Sequence, residues 1–102
     1  MHAVVESKRN EIVALCKRLG VLRLDVFGSA TGDAFDMTRS DVDFVYELGR
    51  EPGSGYFDAY FSLKEGLEAL LGRPVDLLAR SSIENPYLKA EVERTQERVY
   101  VS

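Results

Sequence analysis

Two segments with strand-like alternation, residues 21–27 (VLRLDVF) and 41–48 (DVDFVYEL), place the tightest limits on what this chain can fold into. In each segment apolar side chains recur at every second position, which is the period of a β-strand that packs one face against a core. The first segment ends abruptly at Gly28-Ser29, and the second opens with two aspartates. We therefore expect a glycine turn and a pair of carboxylates on facing strands of one sheet.

The rest of the chain predicts helices and one further strand. Apolar residues at helical spacing indicate amphipathic helices, two of which end at a glycine. The predicted elements are a helix over 4–19, strands over 21–27 and 41–48, a helix over 56–71, a third strand over 74–79 and a last helix over about 85–98, with turn-rich loops over 30–40 and 49–55. This order predicts a small α/β (α+β) fold, in which helices flank a mixed β-sheet.

Composition narrows the class of protein. The 102 residues, 45% of them hydrophobic, suit a single domain over residues 1–102 with its own core. Acidic residues outnumber basic ones by 17 to 13, for a formal net charge of −4. Nucleic-acid binding draws much of its affinity from phosphate neutralisation by basic residues, so this charge does not favour a nucleic-acid partner.

The single cysteine and the absence of long apolar runs bear on location. Cys16 cannot form an internal disulfide, and its place in the apolar pattern of the first helix predicts a buried structural thiol. No apolar run is long enough for a membrane span, and the first residues lack the apolar core of a signal peptide. A cytoplasmic protein is the expectation.

Asp41 and Asp43 are the first candidate site residues. Side chains at positions i and i+2 of a strand point to the same face, so these two carboxylates lie close together and repel each other. A divalent cation between them removes that cost. Mg²⁺ commonly binds one or two carboxylates together with substrate phosphates, and two such ions can hold the attacking and leaving oxygens of an in-line displacement.

Gly28, Ser29 and Asp76 complete the candidate site. Glycine lets the backbone approach a ligand closely, and the serine hydroxyl with neighbouring N–H groups suits a phosphate. Asp76 lies in the third predicted strand, flanked by Val75 and Leu77. It is a candidate third carboxylate, either as a metal ligand or as the acceptor of a hydroxyl proton.

Each of these residues also has an ordinary structural interpretation. Asp41 could cap a turn, Asp43 could belong to a solvated strand face, and Asp76 could be an exposed aspartate on an edge strand. Gly28-Ser29 could be a turn without a ligand. The combination of all these features at this spacing favours the functional interpretation over the separate structural ones.

The segment LDVFGSATGDAFDMTRSDVDFVYEL resembles the nucleotidyltransferase superfamily that includes DNA polymerase beta. The shared motif is an apolar strand, Gly-Ser, a spacer of about nine to thirteen residues, and Asp-x-Asp between apolar residues. From the first helix to PVDLL and the NPYLKAEV segment, the chain resembles the minimal nucleotidyltransferases of prokaryotes. One departure is Ala30-Thr31-Gly32, where many relatives carry an arginine, and it bears on triphosphate affinity.

The resemblance implies a function and a set of roles. Asp41 and Asp43 would bind two Mg²⁺ ions, Asp76 would be the third carboxylate, and Gly28 and Ser29 would bind the triphosphate of ATP. Many members of the family are antitoxins of type VII pairs, and transfer AMP from ATP to a tyrosine of a HEPN-domain toxin. That implies a HEPN-type protein partner for this chain, and a homo- or hetero-oligomer.

Two other functions remain open from the sequence. The chain could be a binding module that neutralises a partner by docking, with little or no catalysis, as its aromatic-rich helix over 56–71 suggests. Transfer to a small molecule such as an aminoglycoside is less favoured, because that chemistry normally uses an added acceptor domain. The nucleotide and the acceptor are not determined by the sequence.

Overall fold

The computed structural model of the chain describes residues 3–28, 41–49 and 55–102. In chain order its elements are α1 (Ala3–Glu6), α2 (Arg9–Leu19), β1 (Val21–Phe27), β2 (Val42–Leu48), α3 (Tyr56–Leu71), β3 (Val75–Ala79), a 3₁₀ turn (Arg80–Ser82), α4 (Pro86–Thr95) and β4 (Glu97–Val101). The loop predicted over 30–40 and most of the loop over 49–55 lie outside the described residues. No helix in the described ranges has the length and apolar character needed to span a membrane.

The strands of the described residues form a four-stranded mixed sheet in the order β3-β2-β1-β4. β1 pairs antiparallel with β2 and with β4, whereas β2 and β3 run parallel. A parallel pair needs a crossover connection, and α3 is the helix within it. This architecture confirms the predicted fold class. The register sets Phe27 opposite Asp43, and Asp43 opposite Asp76, so the end of β1 meets the beginnings of β2 and β3.

One face of the sheet packs against α2 and α3 and forms the main core. Its fully buried side chains come from both helices and from the alternate positions of the strands that the sequence pattern indicates, among them Ile12, Leu24, Phe44, Leu63 and Leu67. Cys16 is fully buried in the same core, and burial raises the pKa of its thiol to about 12. The prediction of a structural thiol is therefore confirmed.

The opposite face is covered in its middle by α4. Phe27, Val45 and Val92 form a second, smaller apolar cluster there. This helix begins where the sequence predicts, because Asn85 caps it by accepting hydrogen bonds from Tyr87 N–H and Leu88 N–H. Both faces of the sheet are thus covered near its centre, whereas Asp41 and Asp76 at its end are exposed.

The prediction of a helix over 85–98 is wrong at its end. α4 ends at Thr95, Gln96 is extended (φ −61°, ψ 138°), and the chain continues as β4, a strand that the sequence analysis missed. Val99 is buried against the core, and its neighbours pair with β1. Branched and aromatic side chains favour strands, and pairing with β1 outweighs the helical pattern that runs into this segment.

The predicted helix over 4–19 is interrupted. It forms α1 and α2, with a turn at Ser7 and Lys8 between them. The Ser7 hydroxyl donates to the carbonyl oxygen of Val4 at 3.3 Å, a local hydrogen bond with which serine competes against a continuous helix. The apolar spacing continues through the turn, which explains why the pattern alone predicts one helix.

Candidate active site

Asp43 and Asp76 face each other across the parallel strands β2 and β3. They are partners in the register, and paired strands lie about 4.8 Å apart, so their side chains project side by side from one face of the sheet. The two carboxyl groups lie close enough for Asp76 to raise the pKa of Asp43. The amide of Val42 donates to the carbonyl oxygen of Pro74 at 3.3 Å, which aligns the beginnings of the two strands.

The pKa of Asp43 is raised from 3.8 to about 6. Burial of its carboxyl contributes most, followed by the charge of Asp76, the hydrogen bond with Asp76 and the charge of Asp41. Two carboxylates this close repel each other unless a proton or a cation balances their charge. The position is therefore one of concentrated negative potential.

Asp41 lies immediately before β2 and is exposed. The sequence placed it as the first residue of the strand, one position earlier than the observed start at Val42. Its charge acts on Asp43, so it lies on the same side of the sheet end. Asp76 is also exposed, on the edge strand β3, rather than buried within the sheet.

This donor set suits a magnesium ion. No group of three or more histidine, cysteine, aspartate or glutamate side chains is arranged around a metal position in the described ranges. Mg²⁺, however, is usually held by one or two carboxylates and by the phosphates of its substrate, so two adjacent carboxylates satisfy its requirement for protein ligands. The residues present therefore fit the metal that the sequence pattern indicates.

Gly28 ends β1 beside these carboxylates. Its φ is +73°, in the left-handed region that favours glycine. A Cβ atom at this position would lie 3.2 Å from Oδ2 of Asp43, so a side chain here would press on that carboxylate. The amide of Gly28 donates a hydrogen bond to Thr95 Oγ1 at 2.9 Å. Ser29, the other residue predicted to bind the triphosphate, lies outside the described residues.

A group of ion pairs around Asp25, which no sequence pattern indicates, lies on the same face, nearer the other end of the sheet. Asp25 is fully buried, and its Oδ2 contacts Arg23 Nη2 and Arg80 Nη2, each at 2.7 Å. Arg80 Nε also lies 3.1 Å from Glu47 Oε1, and its Nη2 donates to Gln96 Oε1 at 3.0 Å. Arg80 lies at least 16 positions from each of its partners in the sequence, so no local motif marks these contacts.

A cavity of about 400 Å³ opens beside this ion group. Tyr46, Tyr56 and Arg80 contribute to its lining, and the two tyrosine hydroxyls are 2.8 Å apart. Its lining comes from the ends of β2 and β3, whereas Asp43 and Asp76 lie near the beginnings of those strands. The cavity is therefore separate from the candidate active site.

Known proteins of similar sequence are named for the same chemistry that the motif indicates. A family model described as a nucleotidyltransferase domain matches residues 9–100. A protein of Methanocaldococcus jannaschii, named as a candidate protein adenylyltransferase, is 38% identical over 102 residues, which cover 99% of this chain and 97% of that one. The protein adenylyltransferase MntA of Thermococcus cleftensis is 39% identical over 88 residues, covering 85% of this chain and 81% of that one.

Solved structures agree with these matches. A structure described as a candidate minimal nucleotidyltransferase superposes with a TM-score of 0.72 at 30% identity, and the match covers 95% of each chain. A complex of the tri-AMPylated HEPN toxin of Shewanella oneidensis with its MNT antitoxin matches with a TM-score of 0.64 at 18% identity, over 95% of this chain and 72% of that one. At that identity, the second likeness concerns the fold alone.

Proposed function

Because the chain belongs to the nucleotidyltransferase family, we propose that it transfers AMP from ATP to a protein hydroxyl, with Asp41 and Asp43 as Mg²⁺ ligands. The observation that carries this proposal is the adjacency of Asp43 and Asp76 beside Gly28, at the end of the sheet. The family match makes the chain a transferase enzyme; the donor, the acceptor and the residue roles are our proposal. ATP is the donor, so we place the reaction in the cytoplasm.

The transfer reaction requires mainly that the reacting groups are aligned and that the charge on the phosphate oxygens is neutralised. The acceptor oxygen attacks the α-phosphorus of ATP, a new P–O bond forms, the bond to the bridging oxygen of the β-phosphate breaks, and pyrophosphate leaves. When bound, two Mg²⁺ ions would neutralise the charge that develops on the phosphate oxygens. Asp76 serves either as a further ligand or as the acceptor of the hydroxyl proton. Gly28 allows the triphosphate close to the backbone, with Ser29 as its proposed partner.

We propose a tyrosine of a HEPN-type toxin as the acceptor, which makes this chain an antitoxin. Two relatives at 38% and 39% identity carry the name protein adenylyltransferase, in one case as a candidate. The solved complex that shares this fold holds an AMPylated HEPN toxin and its MNT antitoxin. The candidate site lies at an exposed end of the sheet, which leaves room for a protein side chain to approach.

The direct test uses ATP labelled at the α-phosphate. The protein, Mg²⁺ and the product of its neighbouring gene are incubated with this ATP, and in parallel with ATP labelled at the γ-phosphate. We expect the α-label alone to appear on the partner, on a tyrosine identified by mass spectrometry. Absence of label with ATP and with the other nucleoside triphosphates would contradict the proposed activity.

A second candidate function is neutralisation by docking alone. It is favoured by two exposed aromatic side chains on α3, Phe57 at 62% and Phe61 at 54% exposure, which lie one helical turn apart. A protection experiment in cells that express the toxin distinguishes the two functions. If the Asp41→Asn/Asp43→Asn double variant still protects the cells, docking is sufficient; if only the Phe57→Ser/Phe61→Ser variant does, catalysis is required.

A further inference from the structure

Thr95 makes a long-range contact with the backbone of the candidate site. It is the last residue of α4, and its Oγ1 accepts the hydrogen bond from Gly28 N–H at 2.9 Å. Its own hydroxyl proton goes to the carbonyl oxygen of Glu91, at 2.7 Å. A hydroxyl has one proton and two lone pairs, so donation to Glu91 directs a lone pair toward Gly28. The end of α4 thereby fixes the backbone where β1 ends.

A second contact ties the same end of α4 to β1. Gln96 follows Thr95, and its Oε1 accepts a hydrogen bond from Arg80 Nη2 at 3.0 Å. The same guanidinium nitrogen lies 2.7 Å from Oδ2 of the buried Asp25 in β1. The junction between α4 and β4 is thus joined to β1 directly at Gly28 and through Arg80 at Asp25. Thr95 is therefore held in place rather than left on a frayed helix end.

Gly28 lies between Thr95 and the carboxylates. On one side its amide donates to Thr95, and on the other its Cα approaches Asp43 so closely that a Cβ would lie 3.2 Å from Oδ2. A shift of this backbone by a few tenths of an ångström therefore changes its spacing to Asp43. Reacting and binding groups need to be placed with about that precision.

We propose that Thr95 is a positioning residue of the nucleotide site, which acts by holding Gly28 in register with Asp43. This inference rests on the proposed function, in which the backbone at Gly28 receives the triphosphate and Asp43 binds its metal. Thr95 does not touch the nucleotide in this arrangement; it sets the distance between the two groups that do. The alternative is that Thr95 only ends a helix, in which case its loss affects stability and not nucleotide affinity.

The informative variants change one atom of Thr95. Thr95→Val replaces the hydroxyl by a methyl group of similar size and removes the acceptor for Gly28 N–H, whereas Thr95→Ser keeps it. Ser82→Ala is the matched control, because Ser82 Oγ donates to the carbonyl oxygen of Ala79 at 2.8 Å, away from Gly28. Thr95→Ala serves as a second deletion of the hydroxyl if the valine variant does not fold.

The first measurement does not depend on the function. Amide hydrogen exchange, followed by NMR on the nucleotide-free protein, reports the protection of Gly28 N–H. Loss of one acceptor should speed its exchange about tenfold in Thr95→Val, with Thr95→Ser and Ser82→Ala within about threefold of the wild type. Equal protection in Thr95→Val and wild type overturns the proposal, as does failure of both Thr95→Val and Thr95→Ala to fold.

The second measurement is calorimetric titration of the folded proteins with ATP and Mg²⁺. We expect Kd to rise about tenfold for Thr95→Val and to change less than about threefold for Thr95→Ser and Ser82→Ala. Unchanged affinity with a deprotected Gly28 amide overturns the positioning role while leaving the proposed function intact. If the wild type itself binds no nucleoside triphosphate, the proposed function fails, and the role of Thr95 fails with it.

Discussion

Asp43 in β2 and Asp76 in β3 are partners across a parallel strand pair, and the adjacent Asp76 raises the pKa of Asp43. The register alone brings them together, although they lie 33 positions apart in the sequence. The two carboxylates repel each other unless a cation balances their charge. The register therefore places two carboxylates side by side at the sheet end, which is the donor set that we propose for a divalent ion.

The first prediction concerns these two carboxylates. Asp43→Asn and Asp76→Asn should each retain the fold, because both side chains lie at the end of the sheet and not in its core. Metal ions are worth several kcal/mol to such a reaction, so we expect each variant to lower AMP transfer by about a thousandfold. The rate of α-label incorporation measures the loss. Asp58→Asn, at an exposed position in the first turn of α3, should transfer at the wild-type rate.

The second prediction follows from the raised pKa of Asp43. Its value is about 6 in the fold against 3.8 ordinarily, so between these values the folded state binds more protons than the unfolded state. The free energy of unfolding of the metal-free protein therefore falls as the pH rises from about 4 to 6, and the cost is fully present above that range. Because Asp43 is half-exposed, solvent screening reduces this cost to about 1 kcal/mol.

Because asparagine does not titrate, the difference in stability between Asp43→Asn and the wild type measures this electrostatic cost. In urea unfolding with a chelator present, the variant should be more stable than the wild type at pH 7.5, and this advantage should disappear near pH 4. A variant that is less stable than wild type at pH 7.5, or equally stable at both pH values, contradicts the proposed electrostatic cost.

The third prediction concerns the bound state. A ligand that binds only the folded protein stabilises it by about 2.7 kcal/mol at one hundred times its Kd. Mg²⁺ and ATP together should therefore raise the midpoint of thermal unfolding of the wild type. The rise should be lost in Asp43→Asn, since its amide does not neutralise the metal. A full shift in this variant would exclude Asp43 as a ligand.

Local sequence patterns correctly predict those helices and strands whose conformation does not depend on distant contacts. The predicted bounds of β1 and α3 match the observed ones, Val21–Phe27 and Tyr56–Leu71, because alternation marks the strand and two glycines flank the helix. The apolar alternation of β2 likewise indicates its paired faces. β4 was missed, since its helical or extended conformation is decided by pairing with β1 and not by its own residues.

The residues around the candidate site likewise divide into those that a local motif predicts and those that only the folded structure reveals. Asp41, Asp43 and Gly28 are visible in the sequence because Gly-Ser and Asp-x-Asp stand at the spacing of a known motif. Thr95 is invisible, as it reaches Gly28 across 67 positions and has no motif around it. Arg80 is hidden for the same reason, since its partners come from two different strands and from the residue after α4. Contacts of this kind follow from packing, which one sequence does not report.

The fourth prediction compares two glycines in the left-handed region. Gly28 has φ +73° and Gly72 has φ +67°, so an alanine at either costs about 1 kcal/mol of stability. Nothing lies within 4 Å of a Cβ at Gly72, whereas one at Gly28 would press on Asp43 Oδ2. Gly28→Ala should therefore lose AMP transfer, and Gly72→Ala should keep it at similar stability. Equal activity in the two variants would show that the close approach at Gly28 is not needed.

The last prediction concerns the buried ions around Arg80. Arg80→Met leaves Asp25, which is fully buried, with fewer cationic contacts, and an uncompensated buried charge typically costs about 3 kcal/mol. Arg94→Met breaks only an exposed pair with Glu91 and should cost less than about 0.5 kcal/mol. Urea unfolding measures both variants.

The double variant Asp25→Leu/Arg80→Met distinguishes the charge interaction between the two residues from the loss of side-chain packing. It removes both charges of the pair together, so its loss of stability should be smaller than the sum of the losses in Asp25→Leu and in Arg80→Met alone. Additive losses would mean that Asp25 and Arg80 contribute independently. In that case Arg23, whose Nη2 also lies 2.7 Å from Asp25 Oδ2, would be sufficient to compensate the aspartate, and Arg80 would act through Glu47 and Gln96 instead.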